Sequence, residues 1–220
     1  MIEMADEIEA GKSFHDVVKS FMSEHQRIIF NGDGYSKEWE EEAARRGLAN
    51  NKNTVDAVSC LKEEKYIEML DSLGVYSRVE LASRYEILLD NYAKTMKVEA
   101  LTSLKMVKTQ IYPAGCSYLS VLTKEATSLK SLEVDHSYLM DDVQYISSLL
   151  KEIKEKMTTL EKSIEKTQNE VSDIFKIAKM WHEEVFMNMQ SLRETVDLLE
   201  ENMDQKYWPM PNYVDLLFGI

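Results

Sequence analysis

Apolar side chains recur every three or four residues along almost the whole chain and nowhere alternate in steps of two, so the pattern predicts helices throughout. Phe14, Val17, Val18, Phe21, Met22 and Ile28 form the stripe of a helix over 13–29, with Ser13 as its cap and Asp16 three residues on. Phe30-Asn31-Gly32-Asp33-Gly34-Tyr35-Ser36 is the densest turn signal in the chain. Ser36 then caps a short helix that Gly47 ends; Glu38, Glu40 and Glu41 lie near its start and Arg45 and Arg46 near its end, as the helix dipole favours. Thr54 caps a further helix through Leu61, Tyr66, Ile67 and Leu70, closed near Gly74.

Ser77-Arg78-Val79-Glu80 reads as a capping box that opens a long helix. Its spacing turns Leu81, Tyr85, Leu88, Leu89, Tyr92, Leu101, Leu104 and Ile111 inward. Pro113 and Gly115 should kink or interrupt it before it resumes through Leu119, Leu122, Ala126 and Leu129. Leu139, Val143, Ile146, Leu150, Ile153, Met157, Leu160 and Ile164 alternate steps of four and three, the seam of a coiled coil or bundle. The seam returns as Val171, Ile174, Ala178, Trp181, Val185, Met189, Leu192, Val196, Leu199 and Met203, with Asn169 or Ser172 placed to cap a new helix. Segments of about 99–131, 135–167 and 171–204 have nearly equal length and short connections, which favours an antiparallel three-helix bundle over one unbroken rod.

The expected architecture is therefore all-α: short helices followed by long antiparallel ones in a three-helix bundle. Residues 1–92 form a first part, 93–206 the long-helix bundle, and 207–220 an aromatic tail. In that tail Pro209 and Pro211 favour an extended path and Asn212 can cap one short turn. Trp208 and Phe218 are expected to pack on helices before residue 112, because so apolar an end should not stay in water.

Composition narrows the functions open to such a chain. Its 220 residues include 26 Lys and Arg against 39 Asp and Glu, a formal charge of −13 that repels phosphate backbones and anionic lipid. Nucleic acid and membrane are thus not expected partners. No apolar run reaches the ~18–20 residues that span a bilayer, and the polar start Met1-Ile2-Glu3-Met4-Ala5-Asp6 is no signal peptide. Cys60 and Cys116, the only cysteines, read as reduced thiols of a cytoplasmic protein.

Candidate chemistry is sparse. Asn31-Gly32-Asp33-Gly34 suggests a calcium loop with Glu42 at the twelfth position. Ser36, however, stands where the sharp-turn glycine belongs and Tyr35 occupies a ligand position, so turn chemistry accounts for the residues. His182-Glu183-Glu184-Val185-Phe186 begins like a zinc-protease helix, but Phe186 replaces the second histidine. His15, His25, His136 and His182 share no metal-ligand spacing. Glu63-Glu64, Asp141-Asp142 and Glu200-Glu201 are sequence neighbours that point apart on a helix. The residues alone yield no catalytic, cofactor-binding or metal-binding side chain.

Several longer words carry a resemblance. They are Arg27-Ile28-Ile29-Phe30-Asn31-Gly32-Asp33-Gly34-Tyr35-Ser36 with Trp39, then Arg46-Gly47-Leu48 and Asn53-Thr54-Val55-Asp56-Ala57. Ser83-Arg84-Tyr85-Glu86-Ile87, Asn91-Tyr92 and Lys94-Thr95 follow, and the chain closes on Lys206-Tyr207-Trp208-Pro209 and Asp215-Leu216-Leu217-Phe218-Gly219. In order and spacing, from about residue 12 to the end and with a variable middle between about 115 and 170, this resembles the C-terminal part of type III glutamine synthetases.

The resemblance implies a parent ligase that makes glutamine from glutamate, ammonia and ATP through a γ-glutamyl phosphate, with Mg as its metal. It implies that the ligand residues lie upstream of Met1, which would then be an internal or imposed start. Residues 1–92 would be the helical tail of the catalytic domain. The remainder would pack against it and against neighbouring subunits in stacked hexameric rings. That family's glutamate loop carries Asn-Gly-x-Gly-x-His, which residues 31–34 echo; Ser36 stands in place of the histidine, so no substrate role is carried over. The alternative is a free-standing acidic helical adaptor that binds a partner protein in a groove, and a weaker one is a regulatory module presenting Tyr35.

Overall fold

The computed structural model describes residues 2–219; Met1 and Ile220, at the ends of the first and last expected segments, lie outside the described residues. The described residues are helical with no strand. By its contacts the chain divides into two compact units, one ending at Asn53 and one beginning at Thr54.

The first unit holds α1 (Ile2–Glu9), α2 (Phe14–Glu24) and α3 (Lys37–Arg45). The helix expected over 13–29 stops at Glu24 and gives way to a 3₁₀ turn at Gln26–Ile28. Ser13 occupies the cap position without making a side-chain capping bond. Ser36 does cap α3, accepting from the Trp39 N–H.

In the second unit the helix expected from Thr54 to Gly74 is broken in two. α4 (Thr54–Ser59) passes through a 3₁₀ turn at Cys60–Lys62 to Glu63, whose extended backbone (φ −75°, ψ 126°) starts α5 (Glu64–Ser72). Thr54 is the first helical residue of α4 and not its cap. Gly74 closes α5 at φ +65°, with the Val75 N–H reaching back to the Leu70 carbonyl, a conformation that costs glycine little.

The capping box at Ser77 forms as read: its hydroxyl accepts from the Glu80 N–H and Glu80 Oε2 accepts the Ser77 N–H at 2.8 Å. It opens α6 (Arg78–Met106), which continues through a π turn at Val107–Ile111 into α7 (Tyr112–Ser131). The interruption expected near Pro113 is that wider turn. Proline has no N–H to give the residue four back, and its ring would crowd that carbonyl. The Tyr112 N–H instead reaches five back, to Val107. The first long segment is therefore not a separate piece from 99; one helical path runs from Arg78 to Ser131.

α8 (Ser137–Gln168) follows, then α9 (Ile174–Met180), a second π turn at Trp181–Phe186 and α10 (Met187–Glu201). Asp173, rather than Asn169 or Ser172, caps α9, accepting from the Phe175 and Lys176 N–H groups. Cross-contacts give the directions. Lys108 pairs with Glu161, and a Cβ on Gly115 would meet Leu150 Cδ2 at 2.6 Å, so α8 runs antiparallel to α6–α7. Lys156 reaches Ser191 and Lys166 reaches Glu184, so α10 runs antiparallel to α8. These three paths make the three-helix bundle.

Its core takes Ala100, Leu104, Val107 and Ile111 from the first path. It takes Ile146, Leu150, Ile153, Met157, Leu160 and Ile164 from α8, and Trp181, Val185, Leu192, Val196 and Leu199 from the last. A second cluster joins Val55 and Val58 of α4 to Tyr85, Leu89 and Ala178. The α8 seam is as the spacing predicts, apart from Leu139 and Val143, which are half-buried. Val171 does not join the last seam; it is exposed in the connection before α9. Leu88 and Leu101, expected inward, are exposed, while Ala93, Ala100 and Val107 take core positions.

The tail also differs from expectation. After Asp204 caps a 3₁₀ turn (Gln205–Tyr207), Tyr207, Trp208 and Met210 pack on the bundle, with the Tyr207 ring 5.6 Å from that of Tyr118 on α7. Tyr207 thus docks on α7, beyond residue 112. Asn212 caps the last short helix, α11 (Tyr213–Phe218), in a capping box with Asp215, but Phe218 stays 70% exposed. Among the described residues no helix is long and apolar enough to cross a membrane.

Candidate functional site

Polar side chains converge in the turn after α2, in the second π turn and in the α8–α10 contact. In the first, Asp33 Oδ1 accepts the Tyr35 N–H at 2.9 Å, and the Asp33 carbonyl accepts the Ser36 hydroxyl at 2.8 Å. A Cβ on Gly32 would run into the Phe30 ring, so glycine is what lets the turn close over that ring. Phe30 in turn lies 4.7 Å from Trp39 of α3 and under the Arg46 guanidinium. Arg46 donates to the Arg27 and Ile29 carbonyls and to Glu42, which also takes Arg45. The charged face of α3 is thus a clamp on the turn, and Tyr35 at its tip is fully exposed.

Hydrogen bonds from Arg45 and then Arg46 hold the Glu42 carboxyl down at about 2. A carboxyl with a lowered folded-state pKa stabilises above its unfolded value and loses that contribution as pH falls through the folded one. The clamp should therefore persist in mild acid and release only near pH 2. Carbon-detected NMR of the Glu42 carboxyl checks this: a midpoint near 2 is expected, returning toward the ordinary glutamate range when Arg45 and Arg46 are both changed to Gln.

The second place is the π turn at Trp181–Phe186. His182 Nδ1 lies 3.0 Å from the Tyr92 hydroxyl and its ring stacks on Phe186 at 5.5 Å. Burial pushes the Tyr92 phenol up. Phe186, which occupies the place of a second zinc ligand in the sequence motif, serves as an aromatic support, and the group ties α6 to the last helical path.

The third is a polar island in the α8–α10 contact. Lys156 Nζ donates to the Ser191 carbonyl at 3.0 Å and to Thr195 Oγ1 at 2.7 Å, and pairs with Glu152 at 2.7 Å. Thr195, 2% exposed, donates to Glu152 Oε1 at 3.0 Å. Hydrogen bonds from Lys156 and then Thr195 hold the Glu152 carboxyl below its usual range. The Glu152–Lys156 pair at i, i+4 is readable from sequence; its reach to α10 and the Arg46 clamp are not, because both depend on which elements meet.

The other candidates stay apart. Glu63 pairs with Lys65 and Glu64 with Arg78, while Asp141, Asp142, Glu200 and Glu201 are exposed. His136 Nδ1 lies 3.1 Å from the Val134 carbonyl, whereas His15 and His25 are exposed on the first unit. Cys60 is half-buried and Cys116 exposed. Among the described residues no three His, Cys, Asp or Glu side chains converge as a metal would need.

Comparison with known proteins places this architecture. The family profile described as the glutamine synthetase C-terminal domain matches residues 13–130. The chain is 33% identical to a type-3 glutamine synthetase of Dictyostelium discoideum over 94% of its own length and 29% of that protein. It is 32% identical to a glutamine synthetase of Butyrivibrio fibrisolvens over 96% of its length and 30% of that protein. A glutamine synthetase of Bacteroides fragilis is 27% identical, with 98% and 30% covered. The chain thus spans about 30% of the length of these curated relatives.

Proposed function

Because this chain belongs to the glutamine synthetase C-terminal domain family, we propose that it is the scaffold and subunit-contact region of a type III glutamine synthetase and carries no active site of its own. The parent would be a cytoplasmic, oligomeric ligase forming glutamine from glutamate, ammonia and ATP with Mg. The observation that carries the reading is the match along 94–98% of the chain to proteins more than three times its length. The polar groups support it. Each of the three clusters spends its hydrogen bonds on holding chain segments together: the clamped turn, the Tyr92–His182 tie and the Lys156 island. In this reading residues 1–92 are the helical tail of the catalytic part, 93–206 the bundle and 207–220 a strap upon it. α6 runs through residue 92 as one helix, so the first two parts would be joined by continuous backbone hydrogen bonding.

Two measurements test it. The purified 220-residue chain should form no glutamine from glutamate, ammonia and ATP, and calorimetry should detect no saturable ATP binding; micromolar binding would mean it holds a site. In the full-length synthetase, deleting the segment should collapse the oligomer in sedimentation velocity. An intact oligomer without it would remove the scaffold role.

A further inference from the structure

The apolar seam that builds the bundle repeats too regularly to set its helices along one another. In α8, Leu139, Ile146, Ile153 and Leu160 follow at seven-residue intervals, and so do Val143, Leu150, Met157 and Ile164. In the last path Val185, Leu192 and Leu199 do the same, as do Met189, Val196 and Met203. Sliding α8 by one heptad, about 10 Å along its axis, therefore sets apolar side chains on apolar side chains again. The connections 132–136 and 169–173 do not forbid it. Each can reach roughly 20 Å when extended, against a helix separation of about 8–10 Å. Nor does the notch at Gly115, which Leu150 fills, because Met157 one heptad on is flexible enough to enter it. The surface pairs Lys108–Glu161 and Lys166–Glu184 discriminate weakly, since exposed ion pairs contribute little.

The polar island in the α8–α10 contact does not repeat. Lys156 Nζ, Thr195 Oγ1 and Glu152 Oε1 close a triangle with sides of 2.7, 3.0 and 2.7 Å. Lys156 also donates to the Ser191 carbonyl at 3.0 Å. Thr195 is 2% exposed, and 26% of the Lys156 side chain is open to solvent. A heptad slip puts Leu149 or Ser163 where Lys156 stands, and Tyr145 or Thr159 where Glu152 stands. Neither alternative brings a cation or a carboxylate, so the buried Thr195 hydroxyl loses both ionic partners in either direction. Leaving a buried polar group without its partners costs more than the same hydrogen bonds stabilise when made. We propose that the Glu152–Lys156–Thr195 island, rather than the apolar seam, fixes the register of α8 against α10. It acts by destabilising the slipped bundles and contributes little to how strongly the native one resists unfolding. Apolar side chains of similar shape would hold the two helices together as well, but would not distinguish one register from the next.

Distances between spin labels on α8 and α10 test this in the 220-residue chain, at concentrations where it is monomeric. In a Cys60→Ser, Cys116→Ser background, the exposed Lys151 of α8 and Met187 of α10 are changed to Cys and labelled. Pulsed electron–electron double resonance is expected to give a single distance peak. Lys156→Met with Thr195→Val replaces the island by apolar side chains of similar shape. That pair should leave the helicity and the urea midpoint undiminished but add a second peak displaced by about 8–10 Å, the signature of one heptad. Thr195→Ser, which keeps the hydroxyl, should retain the single peak. A single, unmoved peak in the Lys156→Met, Thr195→Val chain overturns the proposal. Loss of helicity or a clearly lower urea midpoint overturns it too, because the island would then be supporting the bundle rather than choosing its register. So does a second peak in Thr195→Ser, since the shape of the threonine and not its hydroxyl would then be the determinant.

Discussion

Leu160→Ala should lower the unfolding free energy by about 2–5 kcal/mol, the cost of removing a large buried side chain whose site cannot fully collapse. Leu160 is completely buried in the C-terminal half of α8 and belongs to the same core as Ile153, Met157, Trp181 and Val185. Its neighbours are held on two other helical paths, so relaxation into the cavity would have to move whole helices. Glu155, less than two turns away on the outer face, is exposed, with Lys151 at 4.0 Å. Glu155→Ala should stay within about 0.5 kcal/mol. Urea denaturation measures both, and an unchanged slope for Leu160→Ala would show that packing alone was lost. Equal and small effects at the two positions would mean that α8 is a loosely associated rod.

Removing residues 207–220 should lower the melting temperature by roughly 5–10 °C, the shift expected for about 2–3 kcal/mol in a domain of this size. The truncation strips Tyr207, Trp208 and Met210 from the bundle core and ends the Tyr118–Tyr207 ring contact. Removing only residues 212–220 should shift it by less than about 2 °C. Val214, Leu216, Leu217 and Phe218 are exposed, so their loss uncovers nothing. The pair of truncations, followed by differential scanning calorimetry at concentrations where the chain is monomeric, isolates the strap. Identical melting of the two truncated forms would show that Tyr207 and Trp208 hold nothing in place.

The chain's helical character and much of its punctuation are legible without coordinates because both are local. A capping box needs only Ser77 and Glu80 three residues apart, and the α8 seam needs only the 3.5–3.6-residue repeat. The turn at Asn31–Gly34 is likewise a property of the residues that make it. The cap at Asp173 was missed because Asn169, Ser172 and Asp173 offer the same chemistry within five residues, and local sequence does not rank them. The second π turn was illegible as well: no proline or glycine marks Trp181–Phe186. The candidate site was legible only in outline. The sequence places Arg46 at the end of α3, but does not show that it holds the carbonyls of Arg27 and Ile29 from across a turn.

What the sequence determined by itself was which residues share a helix face, where most helices can begin and end, and to which family the words belong. Periodicity says that Leu88, Leu101 and Leu104 could all look inward; it does not say how wide an arc the neighbouring helices cover. Only the packing of α8 and the last helical path decided that Ala100 and Leu104 are covered while Leu101 is left bare. Gly115 shows the reason at its sharpest: Leu150 and Leu199 approach from two other helices to where its Cβ would stand, at 2.6 and 3.1 Å. Such a contact joins residues 35 and 84 positions apart, and its free energy depends on shape in three dimensions, to which a one-dimensional pattern is blind.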